Sequence, residues 1–69
     1  MASDIDRARK LLPHWMEHNA EHAEEFREWA EKVRTLRGDA AANNVVRAAE
    51  AMEQANAYLQ AALDGLPEG

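Results

Sequence analysis

A seven-residue recurrence of apolar side chains runs through most of this 69-residue chain and limits its fold to packed helices. In the first half, Ile5, Leu12, Asn19, Phe26 and Val33 occupy one position of the repeat. Ala8, Trp15, His22, Trp29 and Leu36 occupy the other. In the second half, Val45, Ala49, Met52, Asn56, Leu59, Leu63 and Leu66 form a matching seam. No stretch alternates as a half-buried strand does, and β-branched runs are absent.

The recurrence breaks at Leu36-Arg37-Gly38-Asp39. Gly38 suits the left-handed conformation that ends a helix, and Asp39 suits the cap of the next. Asp64-Gly65-Leu66-Pro67 is a second stop, and Ser3 with Asp6 has capping-box spacing. The reading is a single all-α domain over 1–69, with helices over about 4–37 and 40–64 folded as an antiparallel, coiled-coil-type hairpin. Pro13 inside the first helix loses a backbone hydrogen bond and meets the Arg9 carbonyl, at a cost of ~3 kcal/mol. A kink near Pro13, or two abutting helices, is therefore expected.

Antiparallel partners have a constant sum of residue numbers. A sum of 78 sets Val33 against Val45, Trp29 against Ala49, Phe26 against Met52 and Trp15 against Leu63. It makes one layer polar, with His22 opposite Asn56 and Asn19 one turn away. Both tryptophans are read as core. Ala41, Ala48, Ala55 and Ala62 on one flank of the second helix, with Ala23 and Ala30 beside the first seam, predict close helix approach.

Composition shows what such a hairpin lacks. Of its 32 hydrophobic residues 15 are Ala, so only 17 larger side chains can build a core. That is thin for a free monomer. A homodimer, two hairpins forming a four-helix bundle, is expected. The net charge of -5 argues against a nucleic-acid partner, because phosphate binders concentrate Lys and Arg. No Cys is present, which excludes disulfides and thiolate sites. No apolar run approaches the ~20 residues that span a bilayer, so no membrane partner is expected. Met1-Ala2-Ser3-Asp4 has no charged-then-apolar leader, which points to a cytoplasmic protein.

All three histidines fall within nine residues, at His14, His18 and His22. Residues four apart on a helix stand one turn above each other, so two imidazoles at that spacing can close on one divalent ion. Imidazole suits Ni, Cu, Zn and Co. His14 and His22 lie ~12 Å apart along a straight axis, too far to share one ion without a bend or a second chain. His22 lies on the seam and His18 on its flank, so the stripe slants towards the surface a second hairpin would cover. The expectation is a metal site at or near a dimer interface, with His18 and His22 its firmest ligands and His14 the third. Trp15, Asn19, Glu25 and Asn56 are read as supporting residues, Glu25 as the carboxylate best placed to orient an imidazole. Alternatively, His22 is a core histidine bonded to Asn56, and the polar layer only sets register. No nucleophile–base pair and no Gly-rich phosphate loop appears, so an enzyme is not expected.

The string His14-Trp15-Met16-Glu17-His18-Asn19-Ala20-Glu21-His22 resembles the H-W-x-x-H-x-x-x-H signature of CooJ-like proteins. These are nickel-binding accessory factors of carbon monoxide dehydrogenase. The resemblance covers nine residues firmly, and Leu11-Leu12-Pro13 and Glu24-Glu25-Phe26 extend it. It implies a helical, coiled-coil-type dimer that binds Ni(II) through His14, His18 and His22. It also implies carbon monoxide dehydrogenase or its maturation factors as partners. Zn, Co and Cu are expected to compete in vitro. The best-known type in the family carries a His-rich tail, whereas no His follows position 22 here. The core site and the dimer are therefore expected, without bulk storage. A metal-free helical dimerisation or adaptor protein is the alternative.

Overall fold

The computed structural model describes residues 3–68; Met1, Ala2 and Gly69, and with them part of the N-terminal leader reading, lie outside it. Ser3 opens the first helix, its hydroxyl oxygen accepting from the Asp6 N–H at 3.1 Å. Asp4 and Asp6 in the first turn and Lys32 and Arg34 in the last suit the helix dipole. This helix, α1, spans Asp4–Thr35, and α2 spans Asp39–Asp64. The chain runs through Pro13 as one unbroken helix rather than as two abutting ones.

The turn between the helices solves its geometry differently from the sequence expectation. Arg37, not Gly38, takes the left-handed conformation, with φ 63. The Gly38 N–H donates to the Val33 carbonyl and the Arg37 N–H to the Arg34 carbonyl, both at 3.1 Å, which is the Schellman closure. Glycine is needed at 38 for space: a Cβ there would lie 2.9 Å from Val33 Cγ1 and 3.2 Å from the Val33 carbonyl oxygen. Gly38 also stands at the N-cap of α2, with no side-chain cap. Asp39 is the first helical residue and contributes its charge there instead.

The two helices pack as an antiparallel hairpin, 54 × 17 × 11 Å on its Cα atoms. Arg9 near one end donates to the Pro67 carbonyl at 2.7 Å, and Arg34 near the other donates to Asn43 at 3.3 Å. The radius of gyration, 16.0 Å, exceeds the ~11 Å of a compact chain of this length.

The buried residues are Leu12, Ala23, Ala30, Ala42 and Ala49, and no large side chain is fully enclosed. On α1 the row against α2 is therefore Leu12, Met16, Asn19, Ala23, Phe26, Ala30 and Val33, each buried or half-buried. Trp15, Trp29 and Leu36 do not join it, at 45%, 54% and 80% exposure. Pairing Trp29 with Ala49 and Trp15 with Leu63 is thus corrected. The cause is size: a helix pair in contact through Ala23 and Ala30 stands too close to admit an indole. On α2 the expected seam holds, from Val45 to Leu66. The tight contacts there are Ala42 and Ala49, whereas Ala41, Ala48 and Ala62 are exposed and Ala55 is half-buried.

One polar layer interrupts the seam. Asn19 Nδ2 donates to Asn56 Oδ1 at 3.0 Å, and Asn56 Nδ2 donates to the Met16 carbonyl at 2.8 Å. Asn19, not His22, therefore faces Asn56. Each bond is worth ~0.5–1.5 kcal/mol, so Asn56→Ala is expected to lower stability by ~1–2 kcal/mol. A reduced urea midpoint with unchanged slope would show it.

Candidate metal-binding face

The uninterrupted run of α1 through His14, His18 and His22 stacks these side chains turn over turn. The structure separates them into a pair and a single ring. His18 Nε2 and His22 Nε2 stand 2.7 Å apart, with ring centroids at 4.5 Å and planes inclined by 25°. At that distance one ring donates and the other accepts. His14 stands edge-on to the pair, its ring 6.5 Å from His18 and at 80° to it. With Glu17, His18 and Glu21 it lines an open cleft of about 150 Å³.

His22 carries the supporting contacts. Its Nδ1 lies 3.7 Å from Glu25 Oε2, the carboxylate the sequence singled out. Phe26 stacks on its other side, with centroids 5.9 Å apart and planes at 27°. Phe26 was read only as a seam residue, although its i+4 spacing from His22 was a usable signal. Asn19 and Asn56 bond each other rather than the imidazoles. Trp15 lies exposed, on the row that also carries His22 and Trp29.

Charge is distributed unevenly around the hairpin. Arg27 and Glu53 pair across the helices on one side, and this hydrogen bond, then the attraction of Glu53, raises the guanidinium pKa further. Arg34 and Asn43 bridge on the same side. Trp15, His22, Trp29 and Leu36 lie ~160° round the helix from Arg27 and Arg34.

Two imidazole nitrogens on successive turns are a residue pair that could supply part of a coordination sphere. Among the described residues, no three His, Asp or Glu side chains are grouped so as to hold an ion. A first-row ion with ~2.0–2.1 Å bonds to nitrogen separates two such nitrogens by ~2.9 Å at a right angle and ~3.4 Å at a tetrahedral one. The observed 2.7 Å is a hydrogen-bond distance shorter than either, so the two rings must part slightly to admit an ion. Among the described residues, no helix is long and apolar enough to cross a membrane.

A family model described as a domain of unknown function, DUF8180, matches residues 8–66. No curated protein and no solved structure matches the chain.

Proposed function

The chain belongs to the DUF8180 family, and from the imidazole pair on its first helix we propose that it is a nickel(II)-binding metallochaperone. The observation that carries this reading is the convergence of His18 Nε2 and His22 Nε2 at 2.7 Å. Discrimination against zinc would come from geometry, since nickel accepts square-planar or octahedral arrangements and zinc prefers tetrahedral ones. The resemblance of the His14–His22 string to CooJ-like proteins supports nickel insertion into carbon monoxide dehydrogenase as the task, with that enzyme or its maturation factors as partners. The remaining ligands would come from His14 after rotation, or from a second chain.

Self-association into a four-helix bundle is part of this reading. The hairpin exposes 5306 Å², against ~4,300 Å² for a compact chain of 7.7 kDa. The excess of ~1,000 Å² is close to the ~800 Å² that each partner contributes to a standard interface. A metal site at or near that interface would link ion uptake to association. The chain carries out no catalysis in this reading and acts in the cytoplasm.

Calorimetric titration of nickel into the purified protein tests the proposal. Micromolar or tighter binding is expected. Only the neutral imidazole offers its lone pair, so protons compete with the metal. Affinity should fall on acidification, by up to ~100-fold per pH unit when two rings must deprotonate. A second reading is a metal-free adaptor, favoured by the Asn19–Asn56 layer, which is satisfied without a ligand. Absence of heat at any pH would select it.

A further inference from the structure

Four of the five most exposed large apolar side chains, Leu11, Trp15, Trp29 and Leu36, share one side of α1. Arg27, Arg34, Asn43 and Glu53 mark the opposite side. On α2 the row of Ala41, Ala48, Ala55 and Ala62 lies ~160° round from Glu53, and Tyr58 stands beside it. Both helices therefore present an uncovered face in the same direction. An aromatic row on α1 continues into an alanine row on α2.

We propose that this face pairs with the same face of a second copy, in antiparallel orientation. The two-fold axis runs perpendicular to the helices, between Ala23 and Glu24 of α1 and between Ala51 and Met52 of α2. This rests on the dimer reading above but not on nickel.

The α1 face is close to self-complementary about that point. Residue numbers summing to 47 bring Leu11 to Leu36 of the partner subunit and Trp15 to Lys32 of the partner subunit. They also bring His18 to Trp29 of the partner subunit and His22 to Glu25 of the partner subunit. Apolar meets apolar, indole meets ammonium and imidazole meets carboxylate. Lys32 Nζ already lies 4.4 Å over the Trp29 ring within one chain, so it is placed for cation–π contact.

The α2 face has its own midpoint. Ala48 meets Ala55 of the partner subunit and Ala41 meets Ala62 of the partner subunit, both with sums of 103. The hairpin decides whether one axis can serve both helices. The Asn19–Asn56, Arg9–Pro67 and Arg34–Asn43 bonds set its register at sums of 75, 76 and 77. The α1 midpoint, 23.5, then lies level with 51.5 to 53.5 on α2, within about two residues (~3 Å) of the 51.5 midpoint of the alanine row. Two independent patterns thus select nearly the same level, and one perpendicular axis satisfies both. The excess exposed surface is of the size that such a contact removes.

Spin labels test the orientation, since the chain has no cysteine of its own. Lys10 and Glu24 are both exposed, point away from the proposed contact and sit at the same position of the repeat. Lys10→Cys and Glu24→Cys are labelled separately, and pulsed electron resonance reads the distance between equivalent labels. In the antiparallel dimer the axial separation is ~40 Å at 10 and ~2 Å at 24, so the Lys10 distance is far longer. Equal distances at the two positions would indicate a parallel dimer and overturn the orientation while leaving dimerisation standing. A monomer in sedimentation equilibrium would overturn the dimer itself. Nickel titration decides the metal reading separately.

Discussion

Replacing His18 and His22 together with alanine is expected to abolish nickel binding, while circular dichroism stays that of the intact hairpin. The rings supply the two converging Nε2 atoms, and no other pair of imidazoles in the described chain comes as close. Either single replacement removes half of a chelating pair. The loss should reach ~100-fold or more, since even groups that only orient metal ligands are worth ~10–100-fold. Alanine is the best helix former and neither histidine is buried, so stability should change little. His14→Ala is the informative contrast. Its ring stands edge-on to His18 with centroids 6.5 Å apart, outside the close pair, so a smaller loss is expected than from His18→Ala. Isothermal titration of the four variants separates the outcomes. Unchanged affinity in the double variant would remove the imidazole pair from any metal role.

Ala49→Leu is expected to lower stability by ~1–3 kcal/mol, the cost of overpacking a filled contact. Ala49 is fully buried where the helices touch, as are Ala30 and Ala42. Three added carbons there must push the helices apart or bend α2. Because the seam relies on small residues, separating the helices would loosen contacts along its length. Ala61→Leu is the control. It adds the same atoms at an exposed position away from the seam, where changes usually fall within ~0.5 kcal/mol. Urea midpoints for the two variants compare them directly. Equal stability would mean that the alanine seam is not tightly packed.

The hairpin was legible because its evidence is periodic and local. The α2 seam, the stop after Leu36 and the Ser3 cap all follow from spacing and residue type. The second row of α1 was misassigned for a physical reason. Rows at i+3 and i+4 from Leu12, Asn19 and Phe26 both keep the seven-residue beat, and His22 is the one polar residue in either. The large row, with Trp15 and Trp29, looks like core to any hydrophobicity argument. The small row, Ala23 and Ala30, wins because two helices gain more from close approach along a continuous contact than from burying two indoles at the cost of separation. The same choice moved His22 off Asn56 and put Asn19 there. Within the candidate site, i, i+4 spacing anticipated the His18–His22 pair and the approach of Glu25. It could not foresee that His14 meets His18 edge-on and outside the close pair, because side-chain torsions are set by neighbours and not by spacing.

The paired asparagines also govern how far the helices can slide. A smooth seam of alanines and short aliphatics would tolerate displacement by a whole repeat, since one small residue would replace another. Such a slip would set Asn56 against Leu12 or Phe26 and strand its amide without a partner, at ~1–3 kcal/mol. The asparagine layer therefore works as a detent. It stops α2 at one notch along α1 and holds the histidine turns at a constant height on the rod.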